Sequence, residues 1–217
     1  MSSSRDPASP REPASTREPA SPRDSASPRP VLDSRVVHHG MIWDVVRDVV
    51  DLGESGTVTR EYVRHPGAVA VVVMNDDDDV LLLRQYRHAA RAELWEPPAG
   101  LLDVPGEDPL AAARRELAEE ADLVAESWWL LADYLSSPGG SDERLMVFLA
   151  RDVHPVATED LHQREAEERD MVAAWVPLDD VVAAVLAGQV RNPSTVVGVL
   201  AAHVARSRGW RDLRDPT

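Results

Sequence analysis

A chain of 217 residues with a formal net charge of −15 is long enough for one domain of ordinary size with a sizeable core, plus some extra. The charge argues against nucleic acid or an anionic membrane as a default partner. With no cysteine, disulfides and thiolate metal sites are excluded, and with no apolar run of about 18 residues and no apolar signal core, a soluble cytoplasmic protein is expected.

The first 34 residues read as a tail. A hexapeptide unit recurs as Arg5-Asp6-Pro7-Ala8-Ser9-Pro10, Arg11-Glu12-Pro13-Ala14-Ser15-Thr16 and twice more up to Pro28. It holds almost no large apolar side chain, and proline recurs too often for helix or sheet. Such a segment cannot bury enough surface to offset chain entropy, so disorder is expected. Arginine and acid alternate within it, so the net acidity belongs to the rest of the chain.

From residue 35 the texture changes. Val36-Val37 and Met41 to Val46 read as strand, and a turn at Gly53–Gly56 leads to a second strand at Thr57–Val63. Residues 35–64 therefore form an N-terminal strand extension. Gly67 to Met74 is a continuous apolar run, the pattern of a strand buried on both faces. Asn75-Asp76-Asp77-Asp78-Asp79 then reads as a solvated hairpin turn before a returning strand, Val80 to Arg87, because loop oxygen ligands for Ca²⁺ are usually spaced by intervening residues.

Glu96-Pro97-Pro98-Ala99-Gly100 and a loop through Pro105-Gly106 lead into a helix. Asp108 is its N-cap, Pro109 fits the first helical position, and Ala111 to Ala118 are helix formers. Glu116, Glu119 and Glu120 stand at i, i+3 and i+4, so three carboxylates share one face. Glu119 and Glu120 occupy the last turn, where an acid costs roughly 0.3–1 kcal/mol against the helix dipole. A solvated acidic face is the simplest reading of such a helix in isolation. Clustered carboxylate oxygens are also what a hard divalent cation accepts.

After the helix, Ser127–Tyr134 and Arg144–Ala150 read as strands joined by a loop, Ser136 to Glu143. Residues 152–170 read as an acidic loop containing Glu165, Glu167 and Glu168, and a loop that long in a compact domain is usually functional or disordered. Met171–Leu178 reads as a strand with Trp175 and Val176 buried. Two helices, Asp179–Ala187 and about 194–208, close an α/β sandwich in which a mixed sheet lies between helices; residues 209–217 form a C-terminal tail. The seven histidines lack metal-ligand spacing and read as surface or core residues.

The spacing around the three glutamates resembles the Nudix box, G-x5-E-x7-R-E-U-x-E-E-x-G-U with U aliphatic. Gly100, Glu107, Arg115, Glu116, Leu117, Glu119, Glu120 and Leu123 match it. The gap from Gly100 to Glu107 is one residue longer than the pattern, within a loop. Asp122 replaces the last glycine at a cap position that aspartate tolerates. No carboxylate is lost. The resemblance implies a Nudix α/β/α sandwich over residues 65–208.

Three further features resemble the ADP-ribose pyrophosphatase branch: Glu96-Pro97-Pro98-Ala99-Gly100 at the entry to the box, Gln85-Tyr86-Arg87, and Pro138, sixteen residues beyond Asp122. Carried over by position, this implies Glu116, Glu120 and the main-chain carbonyl of Ala99 as metal ligands, with Mg²⁺ (or Mn²⁺) as cofactor. Glu119 would partner the metal or Arg115, and Glu107 with Arg115 would hold loop to helix. The general base would come from the loop after the box: Glu168 first, then Glu167 and Glu165. Substrate contacts would be Arg87, Glu96, Pro138, Asp142, the weaker phosphate candidate Arg60, and Trp43, which aligns with an aromatic used across a dimer interface. The activity implied is Mg²⁺-dependent hydrolysis of ADP-ribose to AMP and ribose 5-phosphate by a homodimer. The rival readings are another nucleoside diphosphate sugar, such as ADP-glucose or GDP-mannose, and a non-catalytic ADP-ribose-binding module.

Overall fold

The computed structural model describes residues 23–162 and 171–216. Residues 23–30 are exposed and have no regular structure. Strands β1 (Val31–His39), β2 (Asp44–Asp51) and β3 (Thr57–Arg64) then form an antiparallel sheet in that order. Two boundaries differ from the sequence reading. First, β1 starts at Val31, within the segment read as tail, because Val31 pairs with Val50 and extends a hairpin already formed. Second, Met41-Ile42-Trp43 is the hairpin turn rather than strand. Gly40 N–H donates to the Trp43 carbonyl at 3.1 Å, and a Cβ on Gly40 would lie 2.2 Å from that oxygen. The apolar composition of this tip imitates a strand, although its three large side chains are exposed.

The rest is built on β4 (Ala68–Val73), every residue of which is buried. It pairs parallel with β9 (Arg144–Pro155) and antiparallel with β7 (Ala99–Leu101), and β8 (Leu123–Leu135) pairs antiparallel with β9. This gives a mixed sheet in the order β7-β4-β9-β8. A second, antiparallel sheet has the order β10-β5-β6, from β5 (Asp79–Arg87), β6 (Ala92–Glu96) and β10 (Val172–Pro177).

Alternate residues of β4 face opposite ways, which is why its sequence is an unbroken apolar run. Val69, Val71 and Val73 pack with Leu110, Leu117 and Phe148 on the side of helix α1 (Pro109–Ala121). Ala70 and Val72 pack with Val147, Leu149, Val199 and Ala202 on the side of α2 (Leu178–Leu186) and α3 (Pro193–Ser207). The layers are those of the expected α/β/α sandwich with a mixed sheet.

The aspartate run is a hairpin turn: the Asn75 side-chain oxygen accepts from the N–H groups of Asp77 (3.0 Å) and Asp79 (2.9 Å), and Asp78 takes a positive φ of 61°. Three expectations fail. β6 and β7 were not foreseen, since strands so short carry no clear alternation. The loop expected from residue 152 begins later, because β9 continues to Pro155, opposite Leu123. Trp175 is 39% exposed rather than buried, because β10 pairs only with β5 at the margin of its sheet.

Gly198 lets α3 approach β4 closely: a Cβ there would lie 2.7 Å from Val72 Cγ2 and 3.2 Å from Val147 Cγ1. Gly198→Val is expected to destabilise the fold by about 1–3 kcal/mol, read as a lower urea midpoint with an unchanged m-value.

Candidate active site

Helix α1 presents its acidic face because its ends and its apolar stripe fix its orientation. The Asp108 carboxylate accepts from Leu110 N–H at 2.9 Å and from Ala111 N–H at 3.4 Å, capping the N-terminus. Asp122 adopts φ 54°, ψ 33°, the left-handed cap conformation that the glycine of the box would take, and its N–H donates to Ala118 O at 3.2 Å. Leu110, Ala112, Ala113 and Leu117 are buried against the sheet. The opposite edge of the stripe turns Glu116 and Glu120 toward β7.

The two carboxylates meet β7 at consecutive residues. Glu120 Oε2 accepts from Ala99 N–H at 2.8 Å. The Glu116 carboxylate lies against Gly100 so closely that a Cβ on that glycine would sit 1.8 Å from Oε1 and 2.0 Å from Cδ. Glycine is required here for space, not for a positive φ.

Arg115 holds the surrounding charges in place. Its Nε and Nη2 donate to the two oxygens of Glu107 at 3.1 and 3.0 Å, and its Nη1 donates to Glu116 at 2.6 Å and to Glu119 at 3.1 Å. The hydrogen bonds from Arg115 hold the Glu107 carboxyl below its ordinary range, and Glu107 in turn raises the Arg115 guanidinium further above its own. The fork therefore joins the preceding loop to the helix and offsets the like-charge repulsion on the acidic face.

These donors suit a hard divalent cation, which takes oxygen ligands and, in the case of Mg²⁺, keeps several waters. Among the described residues no three His, Cys, Asp or Glu side chains form a metal cage by themselves. A site at β7 would therefore combine the Glu116 and Glu120 carboxylates with the Ala99 carbonyl, and solvent and substrate would fill the remaining positions.

Beside β7 lies a cleft lined by Arg87, Glu96, Ala99, Gly100, Glu143 and the start of α3 at Asn192–Ser194, among others. Glu96 is only 3% exposed, and its carboxylate accepts from Arg87 Nε at 3.0 Å to both oxygens and from Nη2 at 2.6 Å. The two substrate candidates of β5 and β6 are thus partners, and Glu96 aims the guanidinium. Glu143, Asn192 and Ser194 were not singled out from sequence. Asn192 caps α3, its side chain accepting from Thr195 N–H at 3.0 Å, but nothing local placed that helix end at the cleft.

Arg60, Pro138 and Asp142 come together in a second depression with Tyr62, Leu135 and Ser141. Trp43 lies apart, in the hairpin surface with His38, His39, Met41 and Ile42, which shares no residue with the cleft. Glu165, Glu167 and Glu168 lie outside the described residues. His39, His154 and His203 each stand within 3.4 Å of a carboxylate, of Asp44, Glu126 and Asp179 respectively.

Comparison with known proteins gives concordant results. The NUDIX domain model matches residues 64–195. The chain is 43% identical over 172 residues to an ADP-ribose pyrophosphatase of Mycobacterium tuberculosis, covering 79% of this chain and 82% of that protein. It is 31% identical to an ADP-ribose pyrophosphatase of Bacillus subtilis, covering 75% and 86%. A solved structure described as an ADP compounds hydrolase superposes with a TM-score of 0.67 at 22% identity, over 86% of this chain and 99% of that one, and shows the same fold.

Two outcomes are expected. Gly100→Ala displaces Glu116 and lowers kcat by at least about 10²-fold while cooperative unfolding is retained. Glu107→Gln is less stable than the parent chain at neutral pH. Because the folded Glu107 titrates below its ordinary 4.5, that stabilisation is complete above this value and is lost as pH falls through the folded pKa, so urea unfolding curves of the two chains should converge in acid.

Proposed function

Because the chain belongs to the Nudix family, by its domain match and its relatives, we propose that it hydrolyses the diphosphate bond of ADP-ribose to AMP and ribose 5-phosphate, with Mg²⁺ or Mn²⁺ as cofactor. The observation that carries this reading is the convergence of Glu116 and Glu120 on Ala99–Gly100, beside a cleft that contains the Arg87–Glu96 pair. The choice of ADP-ribose rests on the Mycobacterium tuberculosis and Bacillus subtilis relatives, each an ADP-ribose pyrophosphatase.

Diphosphate hydrolysis is mostly positioning and charge neutralisation. When bound, the divalent cation neutralises phosphate oxygens and makes a coordinated water more acidic. Glu116, Glu120 and the Ala99 carbonyl hold it. Arg115 keeps the acidic face compact through Glu107, Glu116 and Glu119. Arg87, oriented by Glu96, turns toward a phosphate or the terminal ribose. Glu168 takes the proton of the attacking water; Glu167 and Glu165 are the alternative candidates for that role. A P–O bond to water oxygen forms, the bridging P–O bond breaks, and both products leave as phosphate monoesters.

Trp43 enters this reading through a second copy of the chain. The exposed Val31, Leu32, Val37, Met41, Ile42 and Trp43 of the N-terminal sheet form the proposed homodimer surface, and Trp43 stacks on adenine in the partner's cleft. Arg60, Pro138 and Asp142, which share the second depression, are the remaining proposed substrate contacts. Among the described residues no helix is long and apolar enough to cross a membrane.

A panel of ADP-ribose, ADP-glucose and GDP-mannose tests the assignment. The highest kcat/KM is expected for ADP-ribose, with activity abolished by EDTA and restored by Mg²⁺. A higher kcat/KM for another sugar nucleotide would replace the substrate, and no turnover of any would favour a binding module. Glu168→Gln should lower kcat by at least about 10²-fold; a normal kcat would move the base to Glu165 or Glu167.

A further inference from the structure

The connection from β3 to β4, His65-Pro66-Gly67, touches two walls of the cleft at once. Gly67 takes a positive φ of 91° and is wedged so that a Cβ would lie 3.3 Å from Arg144 O and 3.4 Å from Leu102 Cδ1. The Gly67 carbonyl accepts from Leu102 N–H at 3.1 Å, immediately after β7. On the other side, His65 N–H donates to Asp142 Oδ1 at 2.8 Å. Around it, Val63 N–H donates to Gly140 O at 2.9 Å, and Asp142 N–H donates to Val63 O at 3.1 Å. One three-residue connection thus joins the strand carrying Ala99 and Gly100 to the loop carrying Pro138, Asp142 and Glu143.

The His65 ring adds a directed contact. Gly67 N–H donates to Nδ1 at 3.1 Å, so Nδ1 is the acceptor and the neutral ring carries its hydrogen on Nε2. Nε2 faces Glu143 Oε1 at 3.7 Å, while the other Glu143 oxygen accepts from Ser136 Oγ. That separation is longer than a hydrogen bond, so the attraction is electrostatic and acts in a shielded place, with the His65 side chain only 12% exposed. Glu143 lines the cleft.

We infer that His65 is a positioning residue for substrate binding: it holds the 136–143 loop and the Glu143 carboxylate at a fixed distance from β7, and it does so through a ring tautomer set by Gly67. His65 does not line the cleft and touches neither Glu116 nor Glu120, so its effect falls on KM rather than on kcat. This inference rests on the proposed hydrolysis for its kinetic consequence and on geometry alone for its structural one.

Two variants of the full chain separate the ring's two contacts. In His65→Asn the side-chain oxygen keeps the acceptor for Gly67 but the side chain stops short of Glu143. In His65→Gln the amide nitrogen reaches toward Glu143. With ADP-ribose, His65→Asn is expected to raise KM roughly fivefold with kcat within about twofold, and His65→Gln to restore KM to near the parent value. Hydrogen exchange of the amides of residues 137–143 should be faster in His65→Asn and close to the parent in His65→Gln.

Equal KM values in the two variants, or a loss confined to kcat, would overturn the inference. If the parent chain does not turn over ADP-ribose, the proposed function fails instead, and the exchange comparison decides alone: unchanged exchange in His65→Asn overturns the positioning role. Should that variant not fold, Glu143→Gln weakens the same contact from the other side, and unchanged exchange there counts equally against it.

Discussion

Glu116 reaches the β7 backbone only because Gly100 has no side chain, and much of the candidate site depends on that contact. With the carboxylate packed against Gly100 and Glu120 bonded to Ala99 N–H four residues further along the helix, α1 and β7 form one rigid unit. The unit is supported from behind, since Leu117 is fully buried between Glu116 and Glu120 and packs with Phe148 and the valines of β4. Strand β4 in turn is paired with β7 through Ala68–Ala70. A side chain at position 100 would force the helix or the strand to shift, and both are bound into the same core.

The second constraint is electrostatic. A net charge of −15 makes further acids locally unfavourable, yet the chain gathers Glu107, Glu116, Glu119 and Glu120 around one helix. Arg115 answers three of them with one planar guanidinium, and Arg87 performs a similar service for the buried Glu96. Arginine suits both places because its fork matches a carboxylate in two-point geometry. Glu116 and Glu120, brought together beside β7, are the carboxylates that the proposed cation would take.

Much of this was legible in the residues. The continuous apolar run of β4, the Asp108-Pro109 start of α1 and the asparagine-led aspartate turn are local signals and appear where they were read. The i, i+3, i+4 glutamates followed from helical period alone, and the family followed from the spacing around them. What sequence did not reveal is long-range or lacks a pattern. β6 and β7 are too short to alternate. Met41-Ile42-Trp43 has the composition of a strand but is turned by Gly40, and Trp175 has the bulk of a core residue but sits on a strand with one partner. Glu143 and the Asn192–Ser194 helix start reach the cleft only through the sheet order, which places residues from distant parts of the chain beside β7. The Arg87–Glu96 pair was seen as two substrate contacts because pairing across β5 and β6 cannot be read without their register, in which Glu96 stands opposite Leu83 and on the same face as Arg87.

The most direct measurement is the affinity of the full chain for Mn²⁺, followed by electron paramagnetic resonance in the parent and in single Glu→Gln variants at 116, 119 and 120. Removing a ligand carboxylate at Glu116 or Glu120 should weaken Mn²⁺ binding by at least about tenfold, while Glu119→Gln, outside the proposed ligand set, should weaken it less. Equal Mn²⁺ affinity in the parent, Glu116→Gln and Glu120→Gln would contradict the site at β7.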